Sequence, residues 1–118
     1  MKKRTKFFPL EINWGAGVSN TYNICLEMAS YNSNGTLAVV ALEAPRGGCV
    51  TSEYFDTITV NLEFGFAHGN LAYVDTNNCP WAVEMLEENG IASPTGMYGR
   101  SGWCEYPLYE FNLEKFSE

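Results

Sequence analysis

Thr21-Tyr22-Asn23-Ile24-Cys25-Leu26-Glu27-Met28-Ala29 is the stretch on which the fold turns. Tyr22, Ile24, Leu26 and Met28 alternate with Thr21, Asn23, Cys25 and Glu27. A period of two sends successive side chains to opposite faces, so the stretch predicts a half-buried β-strand. Just beyond it, Asn32-Ser33-Asn34-Gly35 is a turn cluster, and Asn-Gly tolerates the positive φ of a tight hairpin. Residues 36–43 are apolar on both faces, Leu37, Val39 and Ala41 against Ala38, Val40 and Leu42. A strand buried on both sides belongs inside a sheet. The two stretches therefore predict an antiparallel hairpin.

The flanking sequence extends the same pattern. Residues 6–13 read as a first strand carrying Leu10 and Ile12, closed by the turn Trp14-Gly15-Ala16-Gly17. Ala44-Pro45-Arg46-Gly47-Gly48 interrupts the alternation. Residues 55–62 form the next expected strand, with Ile58, Val60 and Leu62 inward and Thr57, Thr59 and Asn61 outward. The segment from Phe64 through Phe66 to Asn70 reads as a loop, and residues 71–75 return as an antiparallel partner. Asp75-Thr76-Asn77-Asn78-Cys79-Pro80 carries helix-start signals, placing a helix over residues 80–88. Ala82, Met85 and Leu86 share its apolar face and Glu84, Glu87 and Glu88 its solvent face. Asn89-Gly90 is a left-handed stop. Residues 93–102, with Pro94, Gly96, Gly99 and Gly102, read as loop; residues 104–113 read as the closing strand. The expected fold class is α+β: an antiparallel sheet of five or six strands with one amphipathic helix packed on one face.

Length and charge restrict what such a domain can do. The 118 residues suit one domain, and 46% hydrophobic with 14% aromatic residues is a globular composition. Lys2, Lys3, Arg4 and Lys6 hold four of the seven basic side chains, so residues 1–6 read as a basic, flexible tail. From residue 7 onward Arg46, Arg100 and Lys115 face all fourteen carboxylates, a body charge of −11. An acidic body is a poor direct partner for nucleic acid or an anionic membrane surface. Phe7-Phe8-Pro9-Leu10 is too short for a signal-peptide core, and the expected location is cytoplasmic. With no signal peptide expected, Cys25, Cys49, Cys79 and Cys104 are expected as reduced thiols, and without a C-x-x-C pair no zinc site with His68 is expected. No motif asks for a cofactor.

Three features have functional readings. In Met97-Tyr98-Gly99-Arg100-Ser101-Gly102-Trp103, a lone central cation lies between glycines and aromatics. Arg100 suits a carboxylate or phosphate, and Tyr98 and Trp103 suit an interface. The structural alternative pairs Arg100 with a carboxylate of the body and sets Trp103 over the core. Cys79 at a helix start has the position of an activated thiol, with His68 as its base; the structural alternative is a packed thiol. Glu84, Glu87 and Glu88, next to Trp81, suit a basic protein surface, or are simply solvated.

The strings Leu71-Ala72-Tyr73-Val74-Asp75-Thr76-Asn77-Asn78-Cys79-Pro80, Glu88-Asn89-Gly90-Ile91-Ala92, Pro94-Thr95-Gly96, Gly99-Arg100-Ser101-Gly102 and Tyr106-Pro107-Leu108-Tyr109-Glu110-Phe111 resemble a small bacterial family, domain-of-unknown-function family 4313. The resemblance is strongest over residues 71–111. It implies short single-domain proteins carried on mobile elements and phages, and by class analogy inhibitors of host defence nucleases of the anti-CRISPR or antirestriction type. No binding or catalytic residue comes with it. The expectation is a non-enzymatic binding protein for a partner with a basic surface, using Trp81, Glu84, Glu87, Glu88, Tyr98, Arg100 and Trp103. The alternatives are a small cysteine-dependent enzyme using Cys79 and His68, and a homo-oligomerising structural protein pairing through an edge strand.

Overall fold

The computed structural model describes residues 2–45, 51–62, 65 and 67–118. The sequence features at Arg46, Gly47, Gly48, Cys49, Phe64 and Phe66 lie outside the described residues. Among the described residues, eight strands and one helix follow in chain order: β1 (Phe8–Gly15), β2 (Val18–Ser30), β3 (Leu37–Glu43), β4 (Glu53–Thr57), β5 (Thr59–Val60), β6 (Leu71–Val74), α1 (Ala82–Glu88), β7 (Ala92–Ser101) and β8 (Cys104–Phe111). A 3₁₀ turn, Leu113–Lys115, follows β8. All strand pairs are antiparallel, in two four-stranded sheets ordered β1-β2-β3-β4 and β5-β6-β8-β7.

The deciding stretch is a strand as its alternation demands, but it is not cleanly half-buried: Cys25, expected on the outward face, is fully buried as well. Ile24 and Leu26 are fully buried, and β2 pairs with β3 from Ile24↔Glu43 to Ser30↔Leu37. β3 is interior to its sheet, as its two-sided apolar pattern requires. The connection between them is longer than the expected tight turn. It spans residues 31–36, with Gly35 at φ +71° and the Asn34 carboxamide accepting from the Thr36 N–H and hydroxyl.

The expected single sheet of five or six strands is corrected to two sheets, for two physical reasons. First, residues 55–62 are not one strand. Ile58 breaks them into β4 and β5, which belong to different sheets. Its N–H donates to the Val39 carbonyl (3.0 Å) while its own carbonyl accepts from Asp75 N–H (2.8 Å), so one residue ties the two sheets together. Thr59, expected outward, is buried instead; its hydroxyl accepts from Val39 N–H (3.1 Å) and bonds the Tyr31 hydroxyl (2.9 Å). Second, residues 93–102 are not loop. They form β7, an edge strand irregular between Pro94 and Tyr98. An edge has one side without ladder bonds, which is where Pro is tolerated.

The main core lies among both sheets and α1: Leu10, Ile24, Leu26 and Val39 from one sheet, Val74, Tyr109 and Phe111 from the other, Ala82, Met85 and Leu86 from the helix. A second small cluster, Leu62, Tyr73, Tyr106 and Leu108, covers the other face of β6 and β8. β8 therefore packs apolar side chains on both faces. The α1 face matches its 3.6-residue pattern, but α1 begins at Ala82 instead of Pro80. The expected capping cluster forms a separate turn: the Asp75 carboxylate accepts from Asn78 N–H (3.3 Å) and Asn78 Nδ2 (2.9 Å). The helix ends as its sequence says. Ile91 N–H donates to the Leu86 carbonyl and Gly90 N–H to that of Glu87, with Gly90 at φ +64°.

The basic N-terminal residues are hydrogen-bonded along β2. Met28 N–H donates to the Lys3 carbonyl, Thr5 N–H to that of Leu26, and Arg4 exchanges two backbone bonds with Ser117, all at 2.9 Å. Arg4 also pairs with Glu27 (2.6 Å). No helix among the described residues is long and apolar enough to cross a membrane.

Candidate functional site

Two clefts flank α1. The larger in aromatic content, about 680 Å³, runs between β1 and the helix. Glu11 and Trp14 line it from β1, Trp81 from the residue ahead of α1, and Glu84 and Glu88 from the helix itself. No Lys or Arg is among its lining residues.

The sequence explains each wall. Glu11 stands between the buried Leu10 and Ile12, so the period of two turns it outward. Glu84 and Glu88 are four apart, hence stacked on one helical face, where like charges repel. No basic residue occupies the last turn of α1 itself; the Lys115 ammonium lies near Gly90, just past the helix end, on the side of the other cleft. Trp81 is held in a row of rings: its ring meets Phe55 edge-on at 5.8 Å, and Phe55 meets Tyr22 at 4.9 Å. The result is a trough with acidic walls and a fixed aromatic surface, a combination that attracts cationic side chains.

The second cleft, about 700 Å³, lies on the other side of α1 and includes Glu87, Glu110 and Glu114. Glu87 accepts a hydrogen bond from the Tyr109 hydroxyl (2.7 Å). Burial, then that bond and the Glu87 charge, push the Tyr109 phenol well above its ordinary range.

The seven expected binding residues thus separate into groups. Trp81, Glu84 and Glu88 come together in the β1–α1 trough. Glu87 faces the other cleft. Tyr98, Arg100 and Trp103 lie on the β7–β8 hairpin. Arg100 sits opposite Glu105 in register and pairs with it (Nη2 to Oε2, 2.6 Å), so its partner is internal. Trp103 does not cover the core: with Gly102 it forms the two-residue hairpin tip and is fully exposed.

Cys79 is buried and packed in the main core, its thiol facing the Thr57 carbonyl at 3.7 Å. Burial first, then Asp56 and Asp75, push its pKa up to about 12. That is the reverse of the lowering expected from a helix start. His68 is exposed before β6 and Cys79 follows it, so the two occupy opposite ends of that strand. Cys25, Cys79 and Cys104 are free thiols. Among the described residues no group of three or more His, Cys, Asp or Glu side chains is arranged to hold a metal ion.

Sequence reasoning missed Glu11 and Trp14. The outward position of Glu11 follows from β1 alternation, whereas Trp14 shares the parity of Leu10 and Ile12 and is exposed ahead of the turn; the helix that completes the cleft with them is a tertiary neighbour that no local pattern reveals.

Residues 25–118 match the family model described as a domain of unknown function, DUF4313. The chain belongs to the DUF4313 family. The match begins within β2 and takes in every later element, so the DUF4313 region includes α1, Trp81, Glu84, Glu88 and the whole β7–β8 hairpin. Glu11 and Trp14, which complete the trough, precede it. No curated protein and no solved structure matches the chain.

Proposed function

We propose that this DUF4313 protein is a non-catalytic binding protein whose β1–α1 trough takes a basic segment of a protein partner. The observation that carries this reading is the lining of the trough: Glu11, Glu84 and Glu88 with Trp14 and Trp81, and no cation. Glu84 and Glu88 repel one another on α1, and a bound Arg or Lys relieves that repulsion while lying against an indole face. The overall charge of −7 adds long-range attraction for a positive surface and speeds encounter. Enzymes that grip nucleic acid have such surfaces, so a host defence nuclease of the CRISPR or restriction type is the partner class we favour.

The test is capture from a host lysate on the immobilised chain, at low and high salt, with nuclease protection assays against a panel of defence effectors. Capture is expected to fade as salt screens the charges, and Glu84→Lys/Glu88→Lys is expected to weaken it at least about tenfold. Salt-insensitive capture, or capture and protection unchanged in the double variant, removes the reading.

A further inference from the structure

Among the described residues, the outer strands of the two sheets differ in charge. β1 carries Glu11, β4 carries Glu53 and Asp56, and β5 is two residues long. β7 is ten residues long with no carboxylate and one arginine. It also gathers exposed apolar surface: Met97 and Tyr98 on the strand, Trp103 at its tip. In a chain of charge −7, this is the edge at which two copies meet with least repulsion.

The backbone says how they meet. A two-residue hairpin tip makes Ser101–Cys104 a hydrogen-bonded pair, and antiparallel pairs alternate between bonded and non-bonded. Gly99–Tyr106 is then bonded, while Arg100–Glu105 and Tyr98–Pro107 are not. Pro107 confirms the phase, because it has no N–H to contribute to a bonded pair. Tyr98 and Arg100 therefore turn their N–H and C=O groups away from β8, toward the open edge. Gly99 faces the opposite way from their side chains, against Leu62 and Tyr73.

We propose that β7 is a homodimerisation edge: two copies pair antiparallel about Gly99, joining their β5-β6-β8-β7 sheets into one. In that register Tyr98 of each copy stands opposite Arg100 of the other. The two residues exchange both backbone bonds, and the guanidinium lies beside the phenol ring. Trp103 then reaches Thr95 of the partner, over the irregular stretch containing Pro94 and Met97. The irregularity ends the ladder there, which keeps the contact short and the dimer weak.

Light scattering from about 1 μM to about 1 mM spans the range of weak association. The mass is expected to rise from 13.2 kDa toward twice that value, and amide exchange at Tyr98 and Arg100 to slow with concentration. Salt is expected to strengthen the dimer by screening the repulsion between like-charged copies, the opposite of its effect on capture in the trough. Tyr98→Pro removes an N–H that β8 does not use, and Arg100→Ala removes the guanidinium from beside the partner copy's Tyr98 ring; both are expected to stay at 13.2 kDa with unchanged circular dichroism. A monomer throughout overturns the proposal. So does a dimer that persists in both variants, or exchange protection that appears on another strand. The exchange measurement on the unmodified chain decides the matter if a variant fails to fold.

Discussion

The β1–α1 trough and the β7 edge use the same aromatic chemistry in opposite electrostatic settings. In the trough, Trp81 is half-buried against Phe55 and three carboxylates share the lining. On the edge, Trp103 is free in solvent beside a strand with no carboxylate at all. In an acidic protein, a place from which acidity is missing is as informative as a place where it collects. The first surface attracts a basic partner and weakens with salt. The second tolerates a like copy and strengthens with salt. The two also differ in how firmly they are built, and substitution can measure that.

The largest effect is expected at Gly99, because the β7 edge depends on it. A Cβ there falls 2.5 Å from Leu62 Cδ1 and 2.6 Å from Tyr73 Cε1, and Tyr73 is fully buried. The tyrosine ring cannot yield without disturbing Tyr106 and Leu108 in the same cluster. Gly99→Ala is expected to cost about 2–3 kcal/mol by overpacking. A urea titration checks it, as a lower midpoint at unchanged slope. The trough behaves differently: Glu84→Gln removes a like-charge repulsion and should raise stability by a few tenths of a kcal/mol. If Gly99→Ala is silent, β7 is not locked to the second cluster and the contrast between a rigid edge and an adjustable trough collapses.

Alkaline pH should sharpen the contrast from the other side. The Cys79 thiol is raised from 9.0 to about 12, chiefly by burial, and the Tyr109 phenol is raised as well. Both groups hold their protons more tightly folded than unfolded. Their contribution is complete below the unfolded pKa and is lost as pH climbs from about 9 toward 12. Both flank α1, one ahead of it and one bonded to Glu87. Stability should therefore fall across that window. Amides of α1 should lose hydrogen-exchange protection in that window, together with those around Tyr106, whose phenol is also raised by burial. Uniform loss over the whole chain would count against this.

Much of this arrangement is written locally and some is not. The β2–β3 hairpin, the apolar face of α1 and its stop at Gly90 are legible because each is set by a short-range period or a single φ requirement. The break at Ile58 is not. Alternation runs unchanged from Phe55 to Leu62 while the chain passes from one sheet to the other, so a period cannot register the change. β7 is hidden by Pro94, Gly96 and Gly99, residues that signal loop and are acceptable in a strand only at an edge. The acidic face of α1 and Trp81 were readable as a candidate surface. Their partner wall, Glu11 and Trp14, was not, because strand and helix meet only in three dimensions. Arg100 stood out for its isolation, yet its carboxylate is five residues away across the hairpin.

The smallest stability effect is expected at Trp103, and its smallness is the informative part. Trp81→Ala should cost about 1–2 kcal/mol, since the indole is half-buried in the row with Phe55 and Tyr22. Trp103→Ala, measured in the same urea titration at dilute protein, should stay within about 0.5 kcal/mol because a fully exposed ring has no contacts to lose. Solvent-facing tryptophan fluorescence should drop in the second variant and persist in the first. A large hydrophobic ring that adds nothing to folding belongs to whatever the hairpin tip touches. If the β7 edge pairs copies as proposed, Trp103→Ala should leave the monomer intact and shift dimerisation to higher concentration. A Trp103→Ala protein that is destabilised when dilute would instead place the indole against its own chain and take the tip out of the interface.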